Sequence, residues 1–225
     1  MIAATFPELD LGCDNITDGC IYKPLNKDVR IINDICIEKY PGDSKTYLSA
    51  DSILEDDHKE AVPTEYLNVM NPSGISDHQL SLKVGAPVML LRNLQAGPNT
   101  SLRNGTRMVV IQMMERALEV EVAVGINKGL RLFLPRVPQY DKSGDYPFTL
   151  VRRQFPVRLA FSVTINKGQG QENERVGIDL PAPVFAHGKL YTGLSRGKRG
   201  SMVKLRIADN EDGLTENIVY TELIS

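Results

Sequence analysis

The chain has 225 residues, 42% hydrophobic and 24% charged, with a formal net charge of −2; this suffices for a buried core in one large or two small domains and argues against a disordered chain. It has no run of about eighteen apolar residues, and no basic segment leads into an apolar stretch at its start, so neither a membrane span nor a secretory signal is read and an intracellular protein is expected. Cys13, Cys20 and Cys36 are odd in number and lack a Cys-x-x-Cys spacing or a nearby histidine pair, which points to reduced thiols rather than a disulfide framework or a zinc site.

Residues 1–20 hold Gly, Asp, Asn and Pro without periodicity and are expected to be a loop or a poorly ordered leader. From Asn26 the pattern is helical: Asn26 can cap, Asp28 suits the positive helix end, and Val29, Ile32 and Cys36 recur at spacings of three and four until Pro41-Gly42. Residues 49–71 are acidic and mixed, with Asp51, Glu55, Asp56, Asp57 and Glu60 close together, and read as a solvated surface connection rather than a metal site. Short apolar runs at 88–91, 107–113, 118–124 and 130–134 follow, separated by Gly97-Pro98, Asn104-Gly105 and Gly125. In the third, Leu118, Val120, Val122 and Val124 alternate with Glu119, Glu121 and Ala123, as in a half-buried antiparallel strand. Several short strands at this spacing predict a small barrel inserted in the chain. After Gln154, residues 157–165 read as one continuous strand, 167–171 as a turn, 175–180 as a strand, 184–194 as a helix and 202–207 as a strand. That order predicts an α/β fold with a parallel sheet and crossover helices.

Charge is distributed unevenly. Residues 150–206 carry eleven Lys or Arg against three acids, a local +8, whereas residues 1–149 carry fifteen bases and twenty acids. Such concentration suits a polyanion-binding surface, because each neutralised phosphate releases condensed counterions; a solvated basic face gives the same count.

Two stretches carry candidate chemistry. In Phe161-Ser-Val-Thr-Ile-Asn-Lys-Gly-Gln-Gly-Gln171, Gly168 and Gly170 let a backbone approach a ligand, and Thr164, Lys167 and Gln169 offer a hydroxyl, a cation and an amide; a plain glycine turn joining two strands is the alternative. In Leu190-Tyr-Thr-Gly-Leu-Ser-Arg196, an arginine beyond a packed helix can reach a γ-phosphate across a domain cleft, or simply sit at a helix C-terminus.

These two stretches resemble motifs V and VI of the petite-integration-frequency (PIF) family of ATP-dependent DNA helicases, usually Ala-Phe-x-Met-Thr-Ile-Asn-Lys-Ser-Gln-Gly-Gln and Leu-Tyr-Val-Ala-Leu-Ser-Arg. Their order and spacing also fit, and Leu82-Lys-Val-Gly-Ala-Pro-Val-Met-Leu-Leu91, Leu102-Arg-Asn-Gly-Thr-Arg107, Arg152-Arg-Gln-Phe-Pro-Val157, Arg175-Val-Gly-Ile-Asp-Leu180 and Pro183-Val-Phe-Ala-His-Gly188 extend the match. Helicases of Helitron-type transposons share these motifs.

The resemblance implies a RecA-like second motor domain, 2A, with an inserted SH3-like barrel, 2B. Residues 1–20 would be a leader, 21–81 the first part of 2A with its connection, 82–150 the barrel with a connector, and 151–225 the rest of 2A. It implies that Thr164, Asn166, Lys167 and Gly168 meet single-stranded DNA, that Gln169 and Gly170 continue toward the nucleotide, and that Arg196 is the catalytic γ-phosphate arginine. Lys83, Arg92, Arg103 and Arg107 of the barrel become further phosphate candidates. It also implies 5′-to-3′ movement, roles in DNA repair, recombination and telomere maintenance, and a nuclear or mitochondrial location in a eukaryote.

The sequence departs from the family at several points. Gly168 stands in place of a serine, Glu172 of a small hydroxyl residue and Thr192-Gly193 of Val-Ala. Gly188-Lys189 and Gly197-Lys198 both lack a glycine five positions earlier and a following Ser or Thr, so neither is a Gly-x-x-x-x-Gly-Lys-Ser/Thr phosphate loop. ATP and Mg2+ are therefore expected only together with an N-terminal RecA-like domain. A non-catalytic single-strand-binding module, or a decayed transposon helicase, is the alternative.

Overall fold

Five consecutive buried residues, Gly19–Lys23, form an interior strand of a four-stranded sheet, and the rest of the first unit is arranged around them. The computed structural model describes residues 1–12, 15–54, 62–98, 100–141, 143–208, 214–215, 217–220 and 222. Cys13 and the acidic residues Glu55, Asp56, Asp57 and Glu60 lie outside the described residues. Two units divide the chain: Met1–Pro41 with Ala160–Ser225, and Gly42–Leu159. Among the described residues no helix is long and apolar enough to cross a membrane.

In the first unit the strand order is Ser162–Thr164, Gly19–Lys23, Arg175–Leu180, Val203–Ile207, and every pairing is parallel, as the strand–helix–strand pattern predicts. Helix Asn26–Lys39 packs Val29, Ile32, Cys36 and Ile37 against this sheet. Asn26 is its first helical residue rather than its cap; that position falls to Leu25, which offers no side-chain hydrogen bond. Asn33, on the buried face, acts as a substitute peptide group for the edge strand: its Nδ2 donates to Ser162 O (3.1 Å) and its Oδ1 accepts from Ser162 N (2.8 Å). Burial pushes the Cys36 thiol up to about 12 against the opposing pull of Lys39, so Cys36 is an inert core residue.

The expected leader is structured. Ile2–Thr5 is a helical turn packed on Arg175–Leu180, and Phe6, Leu9 and Ile16 are buried. Gly19 makes room for this segment, since a Cβ there would lie 2.5 Å from the Phe6 ring, whose other neighbour is Phe161 in edge-to-face contact. A second correction concerns residues 157–165. Their apolar run is continuous because both halves are buried, but Val157–Leu159 pairs antiparallel in the second unit and Ser162–Thr164 parallel in the first. The hydrogen-bonding partner changes at Ala160-Phe161, which a pattern of apolar residues does not reveal. The helix expected over 184–194 is confined to Lys189–Leu194.

The second unit is built from antiparallel strands. One sheet has the order Arg131–Pro135, Ala117–Val122, Arg107–Met113, Pro87–Leu90, Val157–Leu159; another joins Val137–Tyr140, Leu150–Gln154 and Ala50–Ile53. Lys45–Leu48 pairs with Gln79–Leu82, and Leu94–Gly97 with Thr100–Leu102. The four expected runs all contain strands, and Leu118, Val120 and Val122 are buried in alternation with Glu119 and Glu121, but this strand ends at Val122 and Val124 lies exposed beyond it.

Residues 49–71 are not merely a surface connection. The Asp51 and Arg152 side chains are both 0% exposed and pair in a fork, Nη2 to Oδ2 at 2.6 Å and Nε to Oδ1 at 3.0 Å. The rest of the Arg152 guanidinium donates to the carbonyls of Leu67, Met70 and Ser76, beside the apolar cluster of Leu67, Met70, Ile75 and Leu150. Ser49 and His78 join this network, but the Ser49 hydroxyl and the Asp51 carboxylate face the same His78 Nδ1, at 2.8 and 3.7 Å, so no proton relay is formed. Replacing Arg152 with Met strands a buried carboxylate and is expected to destabilise the chain by about 3–5 kcal/mol in urea denaturation, with most of the loss recovered in Asp51→Asn/Arg152→Met.

Candidate functional site

The parallel sheet ends its strands on one edge, with Lys23 beside Thr164 and Asp179 beside Arg206 in register. Ligands of open α/β sheets bind outside this carboxyl edge. Thr164 is the last residue of its strand and half-buried; the turn Ile165–Gly168 follows at once, leaving Asn166 exposed, Lys167 half-buried, and Gln169 and Gly170 exposed. Gly170 has φ +79°, a conformation that side chains other than glycine rarely adopt.

Gly168 is buried beneath the ring of Tyr22 in the neighbouring strand, and a Cβ on it would lie 2.1 Å from Tyr22 Cε1. Glycine here is matched to the tyrosine, and the residue offers no surface to a DNA strand. Tyr22 in turn donates its hydroxyl to Asn173 Oδ1 (2.6 Å). Asn173 N donates to Arg196 O, and Lys198 N to Asn173 O, in an isolated parallel bridge between residues 173 and 197.

Arg196 closes the arrangement. Its Nε donates to Thr192 O (2.8 Å), Nη1 to Gly168 O (3.3 Å) and Gln171 O (3.0 Å), and Nη2 to Ser195 Oγ (2.8 Å). One guanidinium thus ties the end of helix Lys189–Leu194 to the glycine turn. All four acceptors are neutral, so this pairing leaves the positive charge uncompensated.

Two cations on the sheet edge share one carboxylate. Lys23 Nζ lies 2.7 Å from Asp179 Oδ2, and Arg206 contacts both oxygens of the same carboxylate at 2.6 and 2.9 Å. Burial alone would raise the Asp179 carboxyl, but hydrogen bonds from Arg206 and Lys23 hold it below the ordinary aspartate range. Lys198 pairs with Glu174, and Glu172 adds to the same field. Lys189 is buried with its ammonium 3.4 Å from the Phe185 ring centroid, and desolvation lowers its pKa. Among the described residues no group of three or more His, Cys, Asp or Glu side chains could hold a metal ion.

Residues 65–113 match the family description "DNA helicase Pif1, 2B domain". Over 81% of its length the chain is 34% identical to the ATP-dependent DNA helicase PIF1 of Rattus norvegicus and 32% identical to that of Xenopus laevis. The chain belongs to the Pif1 helicase family. It spans about a quarter of the length of these relatives, 26% in both cases. Its fold is that of solved Pif1 helicases: the Candida albicans protein superposes with a TM-score of 0.67 at 22% identity, covering 94% of this chain and 49% of that one. A Bacteroides Pif1 bound to single-stranded DNA gives 0.62 at 22% identity over 91% of this chain and 43% of that one.

Within this Pif1-family chain the candidates separate by burial. Thr164, Asn166, Lys167, Gln169, Gly170 and Arg196 lie along one turn and the helix end stapled to it. In the second unit Arg107 is 1% exposed and Lys83 9%, so both are core residues rather than surface phosphate contacts, while Arg92 and Arg103 remain exposed. Sequence reasoning missed Tyr22, Asn173 and Asp179. The first lies in the apolar run Cys20-Ile21-Tyr22, a strand signal just before the helical pattern.

Restoring the family serine in Gly168→Ser is expected to destabilise the chain by about 1–3 kcal/mol in thermal unfolding, and Tyr22→Ala to relieve much of that penalty in the double variant. The Asp179 contribution is present above the unfolded aspartate pKa and lost as pH falls through the lower folded value. Denaturation below about pH 4 should therefore show an acid limb that Asp179→Asn, already less stable at pH 7, flattens.

Proposed function

We propose that this chain is the strand-tracking and nucleotide-sensing portion of an ATP-dependent DNA helicase that moves 5′ to 3′, corresponding to domains 2A and 2B. The first unit is the RecA-like 2A domain and the antiparallel second unit contains the SH3-like 2B insertion. The observation that carries the reading is the stapling of the Thr164–Gly170 turn to the end of helix Lys189–Leu194 by Arg196.

Thr164, Asn166 and Lys167 are the contacts for phosphates of single-stranded DNA, with a hydroxyl, an amide and a cation presented at the strand end. Arg196, with exposed Gln169 and Gly170 beside it, is the residue for the terminal phosphate of ATP. The residues fit that group because the Arg196 hydrogen-bond acceptors are all neutral. A bound nucleotide supplies hydrolysis free energy; Mg2+ and the phosphate loop are assigned to an N-terminal RecA-like domain, the partner this reading requires. The contribution of Arg196 is to orient its charge, and because the same guanidinium holds the carbonyls of Gly168 and Gln171, any shift of Arg196 is felt at the turn.

The test is fluorescence anisotropy of a labelled single-stranded oligonucleotide across a salt series. Thr164→Ala and Lys167→Ala are each expected to weaken binding several-fold, and Lys167→Ala to lower the salt slope by about 0.7, the value for one phosphate of a single strand. Unchanged binding in both variants sinks the strand-contact assignment. Strand binding that stays indifferent to ATP when the N-terminal domain is supplied favours a non-catalytic binding module.

A further inference from the structure

The second unit holds a cavity of about 450 Å³ lined by Glu115, Arg116, Pro135, Arg136 and Arg153. Three guanidinium groups against one carboxylate is an unusual lining for a structural gap, and the strand register explains how it arises. Pro135 pairs with Ala117, the last rung of an antiparallel ladder, so Arg136 and Arg116 both follow that rung at the same end, and Arg153 pairs with Pro138, two residues beyond Arg136.

The three arginines are held differently. Arg136 is fixed: its Nη1 donates to Leu48 O (2.8 Å), and its guanidinium lies 5.4 Å from the Tyr47 ring centroid and 5.2 Å from that of Phe155. Its Nε is buried with no hydrogen-bond partner among the described residues. Arg116 and Arg153 are exposed, and neither side chain has a hydrogen bond or ion pair among the described residues. Elsewhere, Arg152, Arg158, Arg131 and Arg206 all have carboxylate neighbours. A pre-oriented guanidinium stacked on two rings, flanked by two uncommitted ones, is a fork arrangement suited to a tetrahedral oxyanion.

We propose that this pocket is a phosphate site in which Arg116, Arg136 and Arg153 hold a backbone phosphate of a nucleic-acid strand. The choice of a strand over a free oxyanion rests on the function proposed above; the pocket itself does not. It adds a contact point on the second unit that is separate in sequence from the Thr164–Gly170 turn; Arg153 falls in the matched stretch 152–157, but none of the three arginines belongs to motif V or VI.

The experiment uses the full chain and the same labelled single-stranded oligonucleotide. Arg136 is left intact because of its packing, and Arg116→Gln/Arg153→Gln is compared with Lys27→Gln/Lys128→Gln, which removes equal charge from exposed positions elsewhere. The pocket variant is expected to bind about fivefold more weakly with a salt slope reduced by about 0.7, and the control to change neither appreciably. Circular dichroism unchanged from wild type confirms an intact fold. Equal losses in pocket variant and control overturn the proposal, as does an unaltered pocket variant. If Lys167→Ala weakens binding and the pocket variant does not, the motif reading stands and the pocket fails; the reverse result keeps the pocket and removes the motif reading. Thermal stabilisation by inorganic phosphate that the pocket variant lacks, without strand binding by wild type, identifies a free oxyanion and overturns the strand as its source.

Discussion

The first unit depends on one guanidinium shared between two segments distant in sequence. The turn after Ser162–Thr164 exposes backbone carbonyls that no sheet can satisfy, and helix Lys189–Leu194 ends with carbonyls of its own. Arg196 answers both needs with bonds to Thr192, Gly168 and Gln171, while Asn173 secures the chain between them through Tyr22 and Arg196. Because the acceptors are neutral, the staple fixes position without consuming charge. That distinguishes Arg196 from Arg206, whose charge is matched by Asp179.

The basic segment illustrates why charge counts and charged surfaces are different quantities. Of its eleven cations, Arg152 and Arg158 are buried with carboxylate partners, Lys189 is buried against Phe185, and Arg206 and Lys198 have acidic partners. Arg175 is directed at the carbonyls of Thr5 and Asn15. Part of the local +8 is therefore internal, while Arg153, Arg199 and Lys204 are exposed and Lys198 and Arg206 are exposed but paired, and the cations of the pocket come partly from outside the segment, with Arg116 and Arg136 preceding residue 150.

What was legible in the sequence follows from how local each signal is. Period-two alternation at Leu118, Val120 and Val122 and the helical spacing of Val29, Ile32 and Cys36 are set by neighbours within a few residues, and both elements form where expected. Motif resemblance located the glycine turn and Arg196 because those residues form contiguous words. Long-range pairing was not legible: Asp51 reads as one acid among several until Arg152 arrives from a distant strand, and Gly168 reads as a departure until Tyr22 is seen above it. Arg107 and Lys83 were misplaced because a basic residue within a strand has the same letter whether it faces water or the core.

The break at Ala160-Phe161 also bears on the order in which the molecule is made. Ile21 pairs with Ser162, 141 residues later, so the parallel sheet of the first unit closes only across a very long loop. The second unit is continuous from Gly42 to Leu159 and joins strands mostly near in sequence. Formation of the second unit first would shorten the effective loop whose entropy the parallel pairing must overcome. The stretch from Gly42 to Leu159 is thus a loop with a fold of its own, and its internal pairing lowers the cost of closing the parallel sheet that it interrupts.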